Sequence, residues 1–349
     1  MPVETVTKLD DATICRGMIR GGSKSFYAAS LVLPQRVREP AYALYAFCRL
    51  ADDLVDEDAR AGAADRLAMR LRKLAEGQPE DHPADRAFAA VMARHRIPLE
   101  VPAALIEGLR WDEQGRRYET LADVEAYAAR VAGTVGVMMT LLMGERRPEV
   151  LARACDLGVA MQLSNIARDV GEDAGNGRLY LPRGWMRAAG LEPEAFLAAP
   201  RFTPALGHVV GRLLDRAEDL YDRAVPGIAA LPRDCRTGIG AARTLYREIG
   251  RKVAARGGNS VESRAVVSGG RKLSLLTQAM VSSALPAPYR AALLAGPPPL
   301  ESCAFLVDAV ATADAMTPAA VRLAQDRLSR ALDIFVTASF NISGPHRFS

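Results

Sequence analysis

The stretch that most constrains the fold is LGVAMQLSNIARDVGED, residues 157–173. Its polar residues step by three or four positions, so they share one side of a helix. They are Gln162, Asn165, Asp169 and Asp173. The surrounding residues are apolar, and a helix that is apolar nearly all round is buried. Because unpaired buried charge is costly, the two aspartates need partners. A site that holds a divalent cation accounts for this stripe better than the alternative, a buried structural network.

A second acidic run, Asp52-Asp53-Leu54-Val55-Asp56, lies earlier in the chain. Its first and last carboxylates are four positions apart, a spacing at which like charges repel on an isolated helix. Taken alone, the run is more typical of a solvated helix end. Two such runs in one largely apolar chain instead favour a shared cation. Mg²⁺ held between carboxylates and a phosphorylated substrate fits these residue types.

The composition is that of an ordinary soluble protein with ample core material: 349 residues, 49% hydrophobic and 25% charged. The net charge of +4 is too small to indicate nucleic acid binding, and it is compatible with loose contact with an anionic membrane surface. The five cysteines are scattered, which argues against a zinc site or a disulfide framework and favours reduced thiols in the cytosol. No signal peptide is evident, and the longest apolar run, residues 131–144, is too short to span a bilayer.

Helical patterning dominates the chain, and alternating strand patterns are hard to find. The spacing predicts helices over residues 39–58, 149–173 and 121–142, the last either continuous or broken near Gly133. We expect an all-α bundle with a central apolar cavity over residues 1–295. Gly296-Pro297-Pro298-Pro299 predicts a linker, so that residues 296–349 form a linker and a C-terminal helical appendage with a helix over 317–339.

The arginines near the acidic runs, and the catalytic motifs that the sequence lacks, restrict the reactions that the chain can catalyse. Arg49, Arg168 and Arg178 flank the acidic runs, and guanidinium groups match phosphate oxygens in pairs. A P-loop, an HExxH pair and a GxSxG elbow are absent, and Gly238-Ile239-Gly240 is an incomplete dinucleotide fingerprint with no strand before it. Carboxylate clusters beside an apolar pocket indicate departure of diphosphate from an allylic lipid, with the carbocation kept dry.

Four segments together resemble the squalene and phytoene synthase family, over about residues 15–290. Residues 52–56 resemble its first metal motif, and residues 127–136, YAARVAGTVG, are similar to its first signature. Residues 157–173 with Arg178-Leu179-Tyr180-Leu181-Pro182 resemble its second signature, and residues 23–26, SKSF, resemble its N-terminal diphosphate loop. The N-terminal stretch is most similar to the bacterial phytoene synthase branch. The segment 256–260, RGGNS, departs from that pattern, because a bulkier residue is expected there.

The resemblance implies the isoprenoid-synthase helical bundle and a role for each matching residue. Mg²⁺, or Mn²⁺, would be bound by Asp52, Asp56, Asp169 and Asp173, assisted by Asp53 and Asn165. Diphosphate oxygens would be contacted by Ser25, Arg49, Arg168, Arg178 and Tyr180. The pocket near the reacting carbons would be lined by Phe26, Tyr45, Tyr127, Gln162 and Tyr246. The four metal aspartates, Tyr45 and Arg168 are the implied catalytic residues.

The resemblance also implies a reaction: head-to-head condensation of two geranylgeranyl diphosphates to phytoene through prephytoene diphosphate, in carotenoid biosynthesis. The implied enzyme is a prenyltransferase of the 15-cis-phytoene synthase type, and it is expected to need no NADPH. The alternatives are a C30 enzyme that makes dehydrosqualene or presqualene diphosphate from farnesyl diphosphate, and a non-catalytic relative that acts as a scaffold. The expected partners are the prenyl diphosphate, the surface of the inner membrane as a peripheral contact, and the next carotenoid enzyme, with no nucleic acid.

Overall fold

The computed structural model describes residues 10–22, 24–57, 62–272, 274–275, 277 and 296–317. These residues form helices and, within the described ranges, no strand. The helices are α1 (Asp11–Gly22), α2 (Lys24–Ser30), α3 (Gln35–Glu57), α4 (Ala63–Ala75), α5 (Pro83–His95), α6 (Glu100–Glu113), α7 (Leu121–Ala128), α8 (Thr134–Leu142), α9 (Pro148–Gly175), α10 (Arg183–Ala188), α11 (Pro193–Ala198), α12 (Pro204–Ala230), α13 (Arg233–Ala254) and α14 (Ala304–Met316). The all-α prediction is confirmed.

Local sequence signals set several helix boundaries. Thr120 begins α7 with a capping box, in which its side chain and that of Asp123 each accept a hydrogen bond from the other residue's backbone. Pro148 occupies the first turn of α9, where no backbone donor is needed. Gly177, with φ of +73°, follows the end of the same helix in the left-handed conformation that glycine adopts without strain.

Two predicted helices differ in detail from the observed ones. Helix α3 begins at Gln35 rather than at residue 39, so Pro40 lies inside the helix and not in its first turn. The predicted helix over 121–142 is continuous, but Ala129–Gly133 forms a π-helical turn between α7 and α8. Such turns occur frequently at functional sites. The predicted helix at 317–339 lies outside the described residues, apart from Thr317.

Helix α9 is the centre of the bundle and packs against α8, α12 and α13. It is buried almost all round, as its sequence predicts. Two glycines let α9 approach its neighbours backbone to backbone: a Cβ on Gly158 would lie 2.5 Å from the carbonyl oxygen of Ala132, and one on Gly136 would lie 2.5 Å from that of Ala154. These contacts run antiparallel, so α8 and α9 lie side by side in opposite directions.

The described part of the C-terminal segment, residues 296–317, packs into the same hydrophobic core as the rest of the bundle. Its buried residues are Leu300, Cys303, Leu306, Val307 and Val310. Arg146 adds an ion pair, with its Nε 2.8 and 2.9 Å from the two carboxylate oxygens of Asp314. Residues 296–317 are therefore docked on the bundle. Among the helices of the described residues, none has the length and apolar character needed to cross a membrane.

We expect Gly158→Ala to destabilise the protein by about 1–3 kcal/mol, because the added methyl overlaps a backbone carbonyl that cannot move without separating the π-helical turn from α9. Gly240→Ala is the matched control: Gly240 is also helical, but an added Cβ meets no atom within 4 Å. The control should be unchanged or about 0.5–1 kcal/mol more stable. Urea unfolding of both variants checks this, and equal stabilities would contradict the close packing.

Candidate active site

A cavity of about 290 Å³ lies between α3, the π-helical turn, α8, α9, α12 and α13. Its walls are mainly apolar. The lining residues on α9 are Val150, Arg153, Ala154, Leu157, Gly158, Met161, Gln162 and Asn165. They form one stripe, and at 1.5 Å per residue the stripe extends ~22 Å along the helix. The cavity is therefore long and narrow, and α9 supplies one wall along its whole length.

One end of this cavity, called the polar end below, is lined by Tyr45, Gln162, Asn165 and Tyr246. Both acidic runs border it. Cys48 on α3 lines the cavity, and Asp52 is one turn further along that helix. Asp169 is likewise one turn beyond Asn165 on α9. The tertiary structure thus brings the two acidic runs to the same end of one cavity, as the sequence predicts.

Tyr246 lies between the two runs. Burial raises the pKa of the Tyr45 hydroxyl, and the neighbouring Tyr246 and Asp52 act in the same direction. Tyr246 also interacts electrostatically with Arg168 on α9. Tyr246 on α13 therefore connects the α3 and α9 sides of the polar end.

Arginine side chains neutralise the carboxylates of both runs. Arg49 pairs with Asp53 at 2.5 Å and lies 3.9 Å from Asp52. On α9, Arg168 binds both oxygens of Asp169, at 2.7 and 2.5 Å. The pairing by Arg49 and Arg168 agrees with the expectation that these cations flank the acidic runs.

Arg264 is a functional candidate that the sequence did not single out. Its Nε lies 2.8 Å from Asp169, and its Nη1 lies 3.3 Å from Glu172. The preceding loop is docked on α9, because Ser260 donates to the carbonyl of Ala167 and accepts, through its own carbonyl, from the backbone of Gly171. This docking places Arg264 over the second acidic run.

The glycines of the unusual RGGNS segment have a structural reason. Gly257 and Gly258 adopt φ of +64° and +79°, a conformation in which other residues are strained. A Cβ on Gly258 would also lie 2.7 Å from the carbonyl oxygen of Gly207 on α12. A bulkier residue would lift this loop from the bundle, and Arg264 would move with it.

The last carboxylate of the second acidic run, Asp173, is poorly stabilised in its charged form. Burial raises the pKa of the Asp173 carboxyl to about 7, and neighbouring Asp169, Glu172 and Asp112 act in the same direction. About two turns before Asp173 on α9, the buried side-chain oxygen Oδ1 of Asn165 has no hydrogen-bond partner. Neighbouring carboxylates and an unpartnered amide oxygen along one helix are the oxygen ligands that a hard divalent cation prefers.

Within the described ranges, no three acidic, histidine or cysteine side chains are close enough to hold a metal ion. Mg²⁺ is usually bound by one or two carboxylates together with substrate phosphates, so the arrangement at the polar end suits a cation that binds with its substrate. The side chains of Asp56, Ser25 and Phe26 lie outside the described set, although their backbones belong to α3 and α2.

Tyr127 and Tyr180 lie together, and neither lines the cavity. Their hydroxyls donate to the two oxygens of Asp112, at 2.8 and 2.7 Å, and their rings stack with centroids 4.9 Å apart. Burial raises the pKa of both tyrosines. The influence of Asp112 and Arg178 on Asp173 shows that this cluster borders the second acidic run.

Asp112 was missed by sequence reasoning. The available signal was an acidic pair, Asp112-Glu113, at the end of the mainly apolar helix α6. Glu113 has a different role, since its carboxylate accepts from the backbone of Gly62, Ala63 and Ala64 at the start of α4. Asp112 therefore binds the two tyrosine hydroxyls, and Glu113 caps the start of α4.

Comparison with known proteins identifies related chains. A family model described as squalene/phytoene synthase matches residues 19–271. A phytoene synthase of Rhodobacter capsulatus is 52% identical over 307 residues, which cover 86% of this chain and 90% of the relative. A phytoene synthase of Cereibacter sphaeroides is 49% identical over 316 residues, covering 87% and 88%. A 15-cis-phytoene synthase of Pantoea ananas is 38% identical over 270 residues, covering 74% and 87%.

Solved structures share the fold. A dehydrosqualene synthase in complex with a ligand superposes with a TM-score of 0.73 at 34% identity, covering 78% of this chain and 96% of that one. The squalene synthase HpnC from Alicyclobacillus acidocaldarius superposes with a TM-score of 0.65 at 28% identity, covering 71% and 94%. The helical bundle described above is therefore the isoprenoid-synthase fold that these enzymes share.

The raised pKa of Asp173 predicts how stability depends on pH. The folded protein holds this proton more tightly than the unfolded chain, in which the pKa is near 3.8. The cost that ionisation of Asp173 adds to folding is therefore absent below about pH 4, grows as the pH rises towards about 7, and is complete above that value. Without added metal, Asp173→Asn should stabilise the protein by roughly 1–3 kcal/mol at pH 8 and have little effect near pH 4.

Urea unfolding at several pH values measures this difference. Glu172→Gln is the matched control, because Glu172 is the adjacent acidic residue and its side chain is exposed. The control should show no comparable gain at pH 8. A gain from Asp173→Asn that is the same at pH 4 and pH 8 would contradict the predicted titration.

Proposed function

The chain belongs to the squalene/phytoene synthase family, and from this premise we propose that it condenses two geranylgeranyl diphosphates head to head to form phytoene, in carotenoid biosynthesis. The observation that carries the proposal is one long apolar cavity with both acidic runs at one end. The named phytoene synthases that match most of this chain, at 52% and 49% identity, favour the C40 reaction. The enzyme is then a prenyltransferase of the 15-cis-phytoene synthase type.

The polar end would bind the diphosphate groups. Arg49, Arg168 and Arg264 now pair with carboxylates there, and guanidinium groups bind phosphate oxygens in the same bidentate manner. Arg178 lies beside Asp173, and Tyr180 beside Asp112, at the edge of the second run. Ser25 is proposed as a further diphosphate contact on the strength of the family resemblance.

The residues present fit a divalent metal, because burial and neighbouring carboxylates disfavour the charged form of Asp173 and the oxygen of Asn165 is unpartnered. We assign the metal-binding role to Asp52, Asp53, Asp56, Asn165, Asp169 and Asp173. Bound Mg²⁺, or Mn²⁺, would neutralise the negative charge that develops on the leaving diphosphate.

The apolar cavity would hold the isoprenoid chains and keep water from the reacting carbons. Because the pKa of Tyr45 is raised, its hydroxyl remains protonated at neutral pH. The rings of Tyr45 and Tyr246 at the polar end present π faces that attract positive charge. Gln162 lies beside them, and Phe26 is assigned to the same group from the family resemblance. Tyr127, held by Asp112, would act through the second acidic run rather than from the cavity wall.

The proposed reaction has two ionisations. The carbon–oxygen bond of one substrate breaks, and the allylic cation alkylates the double bond of the second substrate. Proton loss then closes the cyclopropane ring of prephytoene diphosphate. Departure of the remaining diphosphate, rearrangement and a second proton loss give phytoene. This sequence ends by loss of a proton, so it consumes no NADPH.

The alternative is the C30 reaction on farnesyl diphosphate, and the similarity to a solved dehydrosqualene synthase favours it as the second candidate. The two substrates differ by five carbons per chain. At about 0.8 kcal/mol per buried CH₂, the longer chain would gain up to roughly 4 kcal/mol if the cavity accommodates it fully. The length of the cavity along α9 supports the longer substrate.

The proposed location is the cytoplasm, in peripheral contact with the inner membrane and with handover of phytoene to the next carotenoid enzyme. An apolar product, a lipid substrate and a net charge of +4 support this location. Co-sedimentation with anionic liposomes should recover the protein at low salt, and no recovery would argue against membrane contact.

Asp169→Asn and Asp52→Asn should each lower kcat by roughly 100-fold or more, because each removes a carboxylate from the proposed metal site. Asp215→Asn is the control, since Asp215 is an exposed aspartate on α12 outside the cavity. Steady-state turnover with Mg²⁺ measures the effect. Unchanged turnover in either test variant would refute the metal-assisted mechanism.

The purified enzyme with Mg²⁺ should convert geranylgeranyl diphosphate to phytoene with at least about tenfold higher kcat/KM than it converts farnesyl diphosphate to a C30 product. Addition of NADPH should leave the product unchanged. Mass spectrometry of the products distinguishes phytoene from a C30 product. Formation of C30 product alone would overturn the phytoene assignment.

A further inference from the structure

The end of the cavity opposite the acidic runs, called the far end below, is formed by Met143, Val150, Arg153 and Leu231. Its position follows from the antiparallel contacts of α8 with α9. Arg153 is 12 residues before Asn165 on α9, which places it ~18 Å from the polar end. The far end is therefore where the tail of a bound isoprenoid chain would lie.

A buried ionic group stands at this far end, and the proposed reaction does not use it. Arg153 is 4% exposed, and its Nε lies 3.2 Å from Asp156, whose side chain is completely buried. Arg223 on α12 binds both oxygens of the same carboxylate, each at 3.2 Å. Two arginines on one carboxylate leave guanidinium donors in excess.

The excess donors hold the proline-rich segment 296–300, called the strap below. Arg153 donates to the carbonyl oxygens of Pro297 at 2.9 Å and Pro298 at 3.3 Å. Arg223 also donates to the carbonyl oxygen of Pro298, at 3.1 Å. Proline carries a carbonyl acceptor but no backbone N–H, so a run of prolines is complementary to a group of guanidinium donors.

The helix that follows the strap supports a second wall of the cavity. The side chains of Leu306 and Cys303 lie 3.6 and 3.7 Å from the position of a Cβ on Gly133. Gly133 ends the π-helical turn whose Val131 and Ala132 line the cavity. Contact with the Cys303 thiol also raises the pKa of Cys155 on α9, so the two thiols touch.

The cavity wall at Arg153 cannot move outward while the strap is bound to it. A Cβ on Gly227 of α12 would overlap the side chain of Arg153, so the two helices are already in close contact there. Both arginines of the far end are then bound to the strap on their other side. Widening of the far end would require α9 and α12 to separate and these hydrogen bonds to break.

We propose that the strap and α14 close the far end of the cavity through Arg153 and Arg223, and thereby set the longest isoprenoid chain that the enzyme accepts. This inference rests on the proposed function. Residues 296–317 lie beyond the family match, which ends at residue 271. Arg223 acts as a positioning residue, because it binds the strap and does not line the cavity.

The test uses full-length Arg223→Ala, which releases one of the two arginines from the strap and leaves every cavity-lining side chain unchanged. Arg216→Ala is the matched control, since it removes a half-buried ion pair with Glu125 from the same helix. Each protein is assayed with the C15, C20 and C25 prenyl diphosphates separately, and the products are measured by mass spectrometry.

We expect Arg223→Ala to raise the kcat/KM for the C25 substrate relative to the C20 substrate by roughly tenfold, while Arg216→Ala retains the wild-type ratio. A general loss of stability would lower kcat/KM for all three substrates by the same factor and would leave this ratio unchanged. An unchanged ratio in folded Arg223→Ala would overturn the inference. If Arg223→Ala does not fold, Arg223→Lys retains a cation beside Asp156, and it should shift the ratio in the same direction by a smaller factor.

An unchanged ratio in Arg223→Lys would then overturn the inference in the same way. Failure of the proposed function has a different result: wild-type protein that condenses none of the three substrates refutes that function, and this inference with it. An active wild-type enzyme whose ratio does not respond to Arg223 substitution refutes only the role of the strap.

Discussion

The burial of helix α9 is the constraint on which the rest of the structure depends. This one helix supplies a wall of the apolar cavity and, one turn further, the carboxylates of the second acidic run. Its neighbours approach it at backbone distance through Gly136 and Gly158, so the cavity is a gap between close-packed helices and not a loose interior. The low-dielectric cavity and the strongly charged polar end therefore lie next to each other on one buried helix, with no flexible segment between them.

The charges at the polar end follow from that burial. Carboxylates next to an apolar cavity are costly to leave unpaired, and arginines from three parts of the chain pair with several of them: Arg49 on α3, Arg168 on α9 and Arg264 beyond α13. The same guanidinium groups suit diphosphate oxygens. A cation and a diphosphate would therefore replace existing ion pairs with equivalent ones, and the bundle need not unfold or repack to admit them.

At the far end, a second group of buried charges is balanced in part by backbone carbonyls. Arg153, Asp156 and Arg223 are balanced only when the carbonyls of Pro297 and Pro298 accept their remaining donors. The C-terminal segment is held by this requirement and by its own apolar side chains, which join the common core. A proline-rich stretch that resembles an interdomain linker in composition is, in three dimensions, a strap across two core helices.

The sequence by itself determined the helical class, the burial of α9, the two acidic runs and the family, because periodicity and motif spacing are local properties of the chain. The roles of individual site residues remain proposals. Only the tertiary structure decided which residues share the cavity: Tyr246 joins the polar end, while Tyr127 and Tyr180 meet at Asp112. Arg264 and the strap carry no local signal of their contacts, since each is placed by the docking of a loop or proline segment on helices distant in sequence. Periodicity identifies the face of a helix that is buried, but packing between helices decides what that face meets.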